Sequence, residues 1–233
     1  SQDKVIEVLT PGIEKFDLGL LAEETEDDKS RLVKDYFWCI DPLDGTLPFI
    51  KSRAGYSVSI ALVSKTGESI IGVIYDPLKN TLYHAFKNGG AFVNHHPLEK
   101  NEISDVFTFI NDESFKEHPQ YNMTIEVMEK IASNLGYNKF RTIFLGGAAM
   151  NTMWVLEKNP ACYFKIPRKT NGGGSLWDYA ASACILDEAG AIASDMKGNV
   201  LDLNREESTH LNHQGVLYTN NQVLSDKIIE AFN

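Results

Sequence analysis

The stretch WCIDPLDGTLPF, residues 38–49, places two acidic side chains directly after an apolar run. That run, residues 36–40 (YFWCI), is aromatic and apolar and predicts a buried strand. Asp41 follows it, and the next residue, a proline, fixes the backbone of the turn. Asp44 comes three residues later and can return to the same side of the turn. The sequence therefore predicts two carboxylates close together at the end of a strand.

Possible ligands for a cation and for an anion are combined in this turn. The Leu43 carbonyl is free to face the same point as the Asp41 and Asp44 carboxylates, and these are hard oxygen ligands of the kind that Mg²⁺ prefers. Gly45 and Thr46 begin a short helical turn, whose free N–H groups favour an anion. A metal between carboxylates and a helix N-terminus suits a phosphate ester.

The same residues allow other interpretations. In one, the turn is only capped, with Asp41 in an Asx-turn and Asp44 as an N-cap. Another is the motif of aspartyl-phosphate phosphatases, in which the acids are spaced D-x-D, whereas the spacing here is D-x-x-D. An EF-hand is excluded, because its loop needs ligands at alternate positions and a distal Glu.

Outward from this turn, the hydrophobic pattern predicts an α+β first half, residues 1–120. A weakly helical segment covers residues 3–16, and Pro11 is predicted to end or bend it. Turn residues separate four short strands that predict an antiparallel meander: residues 56–63, 70–75, 81–86 and 91–94.

The second half, residues 121–233, alternates helices and strands and predicts an α/β arrangement. Helices are predicted at residues 125–135, 146–156, 177–189 and 223–232, and strands at residues 140–145, 162–166, 191–195 and 215–219. The boundary between the halves falls near residues 105–122, and the two halves can share one core.

Composition excludes several classes of protein. The chain has 233 residues, of which 43% are hydrophobic and 23% charged, as in ordinary globular proteins. Its net charge of -10 argues against a nucleic acid polymer or an anionic membrane as a partner. Three widely spaced cysteines, no signal peptide and no long apolar run predict a cytoplasmic protein. Since the first residue is not Met, we also expect that an N-terminal segment is missing.

Three segments resemble the motifs of one known family. Residues 38–49 resemble the first signature of the inositol monophosphatase family, W-x-I-D-P-[LI]-D-G-T-x-x-F. SLWDYAASACILDEAGA, residues 175–191, resembles the second, W-D-x-A-A-x-x-x-[IL]-x-x-E-A-G. LLAEE, residues 20–24, resembles the upstream [GS]-E-E. The three motifs occur in the family's order, and the resemblance extends over essentially the whole chain.

This resemblance implies a layered α-β-α-β-α sandwich and a Mg²⁺-dependent, typically Li⁺-sensitive phosphomonoesterase that uses a metal-activated water. Two or three Mg²⁺ ions are implied, with the ligands Glu23, Asp41, the Leu43 carbonyl, Asp44 and Asp178. Asp41 would bridge two of the ions. A homodimer is common in the family and is a possible assembly.

The resemblance also implies catalytic and substrate-binding residues. Thr46 would help to orient and deprotonate the attacking water, and Glu24 is either a supporting base or a plain neighbour of Glu23. The implied contacts to phosphate and substrate are Gly45, Thr46, Gly146, Gly147 and Ala148.

The chain departs from the family pattern in two places. Family members carry, on the helix before the E-E motif, an Asp that pairs with the motif Thr; we expect it to precede residue 1. Lys165 stands where inositol-type members carry an acidic residue that binds substrate hydroxyls, and Arg168 and Lys169 follow in a Gly-rich loop. Three cations favour a second anionic group on the substrate, as in the branch that dephosphorylates adenosine 3',5'-bisphosphate.

The expected function is therefore Mg²⁺-dependent hydrolysis of a phosphate monoester on a small metabolite, with a 3'(2'),5'-bisphosphate as the leading substrate. The alternatives are an inositol or sugar-phosphate phosphatase, with fructose bisphosphatase a more distant relative. The basic loop can also be a solvated surface. A protein of a different class would be a non-catalytic family member that binds a metal or phosphorylated ligand, or scaffolds a partner.

Overall fold

The computed structural model describes residues 2–170 and 172–233. The helices are α1 (Gln2–Phe16), α2 (Ser30–Val33), α3 (Thr46–Ile50), α4 (Tyr121–Asn134), α5 (Ala148–Glu157), α6 (Leu176–Glu188) and α7 (Gln222–Phe232). The strands are β1 (Gly19–Ala22), β2 (Tyr36–Asp44), β3 (Ser57–Ser64), β4 (Ser69–Asp76), β5 (Thr81–Phe86), β6 (Gly90–Val93), β7 (His96–Pro97), β8 (Val106–Asn111), β9 (Lys139–Phe144), β10 (Ala161–Lys165), β11 (Ile192–Ser194) and β12 (Val216–Thr219). A 3-10 helix covers Glu113–Glu117.

These elements form five layers. Helix α1 packs on β2 at the outer face of a seven-stranded sheet, and α5 and α6 lie between that sheet and a five-stranded one. Helices α4 and α7 contact each other and pack against β9 and β12 of the second sheet. This is an α-β-α-β-α sandwich, so the predicted fold class is confirmed.

The seven-stranded sheet runs in sequence order from β1 to β7. Strand β1 is parallel to β2, and every later pair is antiparallel. The predicted meander is therefore confirmed. Alternate residues of β3 are buried, beginning with the small side chains of Ser57, Ser59 and Ala61. A strand with one face packed on the layer beneath shows this period of two.

The five-stranded sheet has the order β11-β12-β10-β8-β9. Strand β8 is parallel to β9 and β10, and β12 is antiparallel to β10 and β11. The sequence pattern predicts no strand at residues 106–111 and treats that region as a boundary. In the structure this segment lies inside the sheet, and five of its six residues are buried.

Helix α6 lies close against the first sheet. A Cβ atom at Gly72 on β4 would come within 2.3 Å of the Ala181 carbonyl oxygen, so only glycine allows this approach. The Ser59 hydroxyl donates to the Trp177 carbonyl at 3.0 Å. These contacts fix the N-terminus of α6 over the end of the sheet where β2 finishes.

Helix α1 differs from its prediction in one respect. It runs without a break from Gln2 to Phe16 and does not end at Pro11. The proline is exposed, so its ring projects into solvent and the helix continues past the missing N–H. Cys39, Cys162 and Cys184 are buried free thiols. Within the described residues, no helix combines the length and apolar character needed to cross a bilayer.

Candidate active site

The end of β2 carries two carboxylates. Asp41 pairs with Ser59 of β3, and the next pair is Asp44 with Ser57. One strand therefore has an extra residue between these pairs, and such a bulge re-aims side chains. Both carboxylates turn inward: Asp41 is 1% and Asp44 5% exposed.

The third carboxylate comes from the start of α6. The Ser175 N–H donates to Asp178 Oδ2 at 2.5 Å as part of a capping box, which holds the carboxylate at the positive end of the helix. One oxygen each from Asp41, Asp44 and Asp178 lie within 4.8 Å of one another. The structure thus brings together three predicted metal ligands from two distant parts of the chain.

A helix from the second half of the chain orients Asp44. The Ala148 N–H donates to Asp44 Oδ1 at 3.1 Å, and the Ala149 N–H donates to Oδ2 at 2.9 Å. Asp44 therefore caps α5, where a predicted alternative was a cap on its own turn. A Cβ atom at Gly147 would lie 2.5 Å from both Asp44 Oδ2 and the Gly45 nitrogen, so the position requires glycine.

The same contacts bear on the predicted substrate-binding residues of α5. The N–H of Ala148 is used by Asp44, and the N–H of Gly147 donates to the Gly55 carbonyl at 2.8 Å. Gly146, Gly147 and Ala148 all line the cavity described below. Their contact with substrate stays a prediction.

Like charges are crowded in this cluster. Burial, together with the carboxylates of Asp44, Asp178 and Glu23, raises the pKa of Asp41 to about 10. Burial also raises the pKa of Asp44, helped by Asp178. The pKa of Asp178 rises to about 6, chiefly through burial. Three negative charges cannot coexist here without cations, and the hard oxygen donors fit Mg²⁺.

The raised pKa values predict how metal-free protein responds to pH. The unfolded carboxylates release their protons near pH 4. In the folded state the Asp178 carboxyl keeps its proton up to about pH 6. The Asp41 carboxyl keeps its proton up to about pH 10. Folded protein therefore binds more protons across this range, and its stability falls as the pH rises from about 4. We expect the Tm after EDTA treatment to drop between pH 5 and pH 8.

Mg²⁺ should reverse this loss. At a concentration of 100 Kd the gain is about 2.7 kcal/mol, which raises the Tm by roughly 5–10 °C for a chain of this size. The gain should be larger at pH 8 than at pH 5, because protons compete with the metal at low pH. Thermal denaturation of EDTA-treated protein with and without Mg²⁺ measures it. Equal gains in Tm at pH 5 and pH 8 would contradict the assignment of the three carboxylates as a Mg²⁺ site.

The Glu23-Glu24 pair lies at the same sheet edge. The Glu23 N–H donates to the Ile40 carbonyl at 3.1 Å, which continues the parallel pairing of β1 with β2 and places Glu23 beside Asp41. Its side chain is exposed and lies outside the three-carboxylate group, although its charge acts on Asp41. The Glu24 N–H donates to Gln2 Oε1 at 3.0 Å. The metal-binding role of Glu23 and the catalytic role of Glu24 stay predictions.

The turn after Asp41 has the predicted shape. The Leu43 N–H donates to Asp41 Oδ1 at 2.8 Å, as in an Asx-turn. The Thr46 hydroxyl contacts the Leu43 carbonyl at 3.4 Å, so the catalytic hydroxyl and the carbonyl ligand of the prediction are neighbours. Gly45 has a φ of 82° and precedes α3, which confirms the short helix.

A cavity of about 370 Å³ opens beside the cluster. Eight of the predicted site residues line it: Asp44, Gly45, Thr46, Gly146, Gly147, Ala148, Lys165 and Asp178. Its lining does not include the other four predicted site residues, Glu23, Glu24, Asp41 and Leu43.

Asp112 also lines the cavity, and it is not among the residues predicted from the sequence. It follows β8 and forms an ion pair with Lys165, and it accepts from Asn151 Nδ2 at 3.0 Å. A signal was present in the sequence: VFTFIN before Asp112 is an apolar run that ends in an acid, like YFWCI before Asp41.

This ion pair corrects the charge argument for the substrate. Lys165 is a predicted substrate-binding cation, but its charge is balanced by Asp112. Arg168 lines the cavity and donates to Thr170 Oγ1 at 2.9 Å through Nη2. Lys169 is exposed and is not part of the lining. Within the part of the chain that the structure describes, Arg168 alone of these three cations remains as an uncompensated charge on the cavity wall.

Comparison with known proteins identifies the family of the chain. The sequence model of the inositol monophosphatase family matches residues 6–233. The chain belongs to the inositol monophosphatase family. This establishes it as a member of a family of phosphatases and confirms the resemblance drawn from its three motifs.

The relatives within this family carry two kinds of name. The inositol-1-monophosphatase of Bacillus subtilis is 28% identical over 206 residues, which are 86% of this chain and 69% of the relative. The Nus factor SuhB of Escherichia coli is 34% identical over 167 residues, which are 71% of this chain and 58% of the relative.

Solved structures of family members share the fold. Inositol monophosphatase from Anabaena superimposes with a TM-score of 0.71 at 22% identity, covering 99% of this chain and 83% of that one. Inositol monophosphatase II from Staphylococcus aureus MSSA476 gives a TM-score of 0.73 at 24% identity, covering 99% and 79%.

Proposed function

We propose that this protein is a Mg²⁺-dependent phosphomonoesterase that acts on a small phosphorylated metabolite. The observation that carries the proposal is the convergence of Asp41, Asp44 and Asp178. They lie beside a cavity that Gly45 and Thr46 help to line. Buried carboxylates that need a cation lie next to backbone N–H groups that suit an anion, and a phosphate ester with its metal satisfies both.

Each part of the site has a role in this proposal. Glu23, Asp41, the Leu43 carbonyl, Asp44 and Asp178 would hold two or three Mg²⁺ ions. Bound Mg²⁺ would supply charge neutralisation and a water of lowered pKa. The N–H groups of Gly45 and Thr46 would cradle the phosphate, and the Thr46 hydroxyl would orient the attacking water. Helix α5 fixes the Asp44 carboxylate, so this ligand is already in place before substrate binds.

For the substrate we propose a monophosphate of a hydroxyl-bearing compound, such as a polyol or a nucleoside. The Asp112–Lys165 pair has no net charge and offers both donors and acceptors. Solved structures similar to this chain include SaIMPase-II bound to inositol monophosphate and to 2'AMP. A 3'(2'),5'-bisphosphate stays the second candidate, because the Arg168 cation lines the cavity.

Phosphate release across a set of substrates tests both candidates. Inositol 1-phosphate, 2'-AMP, adenosine 3',5'-bisphosphate and fructose 1,6-bisphosphate should be compared at saturating Mg²⁺, with and without Li⁺. We expect one or both of the first two to give the highest kcat/KM. A higher kcat/KM for adenosine 3',5'-bisphosphate would favour the second candidate. No release from any of the four would support a non-catalytic family member instead.

A further inference from the structure

We propose that Asp112 determines which substrates the cavity accepts. Together with Lys165 it would bind hydroxyl groups beside the scissile phosphate and repel a second phosphate. This proposal rests on the phosphatase function proposed above, because it concerns the same cavity. The Asp112 side chain is 28% exposed and the Lys165 side chain 19%, and both line that cavity.

Strand register places the two residues side by side. Strands β8 and β10 are parallel neighbours, and Ile110 is paired with Tyr163. Two residues further along each strand, the chain reaches Asp112 and Lys165 at the same edge of the sheet. The ion pair is therefore a consequence of the sheet pairing and not of flexible surface side chains that happen to meet.

Helix α5 links this pair to the carboxylate cluster. Asn151 Nδ2 donates to Asp112 Oδ1 at 3.0 Å and to the Gly146 carbonyl at 3.0 Å. The same helix binds Asp44 through its first N–H groups. Asp112 is thus held in a fixed position relative to the metal-ligand cluster, as a residue that selects substrates must be.

The chemistry of the pair discriminates between hydroxyl and phosphate. Lys165 has three N–H groups and uses one on Asp112, whose oxygens retain free lone pairs. A hydroxyl both donates and accepts, so it can bridge the two side chains. An ionised phosphate only accepts, and it would meet the negative charge of Asp112 at close range. Without Asp112, Lys165 would be a free cation suited to a second phosphate.

Asp112→Asn tests the proposal, because asparagine can keep the oxygen that Asn151 binds while a neutral NH2 group replaces the charged oxygen that pairs with Lys165. The kcat/KM for adenosine 3',5'-bisphosphate relative to inositol 1-phosphate should rise about tenfold or more, the effect of freeing one charged hydrogen-bond donor. The change should appear mainly in KM. Turnover of p-nitrophenyl phosphate, whose leaving group has no aliphatic hydroxyl, should change less than turnover of inositol 1-phosphate.

Asp105→Asn is the matched control, since Asp105 is an exposed carboxylate just before the other end of β8. It changes the net charge equally and should leave the substrate ratio at its native value. An unchanged ratio in Asp112→Asn, or an equal loss on all three substrates, would overturn the proposal. An inactive native chain would instead overturn the phosphatase function itself.

Lys165→Met keeps the proposal testable if Asp112→Asn does not fold. It leaves the Asp112 charge alone on the wall, so the ratio of bisphosphate to monophosphate kcat/KM should fall below the native value. A ratio that rises or stays constant in this variant would contradict the role of Asp112.

Discussion

Asp41→Asn should abolish Mg²⁺-dependent phosphate release while the protein stays folded. Asp41 belongs to the three-carboxylate group, and asparagine would put one neutral oxygen in place of a negatively charged carboxylate that is proposed to hold a metal. Loss of several kcal/mol of transition-state stabilisation corresponds to a drop of about 1,000-fold or more in kcat/KM. Release of phosphate from inositol 1-phosphate at saturating Mg²⁺ measures this effect.

The same substitution should not lower the stability of metal-free protein. With its pKa raised to about 10, Asp41 is already protonated in metal-free protein at neutral pH, so a neutral amide of the same shape changes little there. The asparagine oxygen can still accept from the Leu43 N–H. Asp76→Asn is the matched control. Asp76 is also buried, ends a strand before a proline, and accepts from the Leu78 N–H at 2.9 Å. Activity retained in Asp41→Asn, or lost equally in Asp76→Asn, would refute the assigned role.

Gly147→Ala should damage the site through a single methyl group. The new Cβ would lie 2.5 Å from Asp44 Oδ2 and 2.5 Å from the Gly45 nitrogen. Helix α5 would therefore have to move away from the Asp44 carboxylate and from the Gly45 backbone. Overpacking of this kind lowers the free energy of unfolding by about 1–3 kcal/mol. A displacement of about 1 Å at a reacting centre costs roughly 100-fold in rate. Denaturant unfolding and phosphate release together measure both effects.

Gly12→Ala controls for the added methyl group. Gly12 lies in α1, and a Cβ atom there would have no neighbour within 4 Å among the described residues. Alanine should therefore fit and stabilise the helix by about 0.5–1 kcal/mol. If Gly147→Ala retained native activity and stability, the close approach of α5 to the Asp44 turn would not be a requirement of the site.

Local sequence predicted the shape of the Asp41 turn but could not by itself establish a metal site. Asp-Pro follows an apolar strand twice, at Asp41 and at Asp76, and both residues accept a hydrogen bond from the N–H two residues on. Only Asp41 belongs to the three-carboxylate group found among the described residues. The difference comes from Asp178, which is distant in sequence and which the family motifs, not local pattern, connected to the turn.

Long-range pairing explains what sequence reasoning missed. Asp44 is bound by N–H groups 104 and 105 residues away, and no local pattern shows this contact. Lys165 has the pattern of a free cation in the sequence because its partner, Asp112, comes directly after a neighbouring strand that the sequence pattern does not predict. By contrast, the meander and the helix that carries Asp178 have clear periodicity and turn residues, and both were predicted correctly.

Diffraction from crystals grown with Mn²⁺ and inorganic phosphate would show directly whether the three carboxylates hold a metal, because Mn²⁺ replaces Mg²⁺ on oxygen ligands and scatters anomalously. We expect an anomalous peak in contact with the carboxylates of Asp41, Asp44 and Asp178, and phosphate on the N–H groups of Gly45 and Thr46. A carboxylate cluster without an anomalous peak at saturating Mn²⁺ would contradict the proposed metal site.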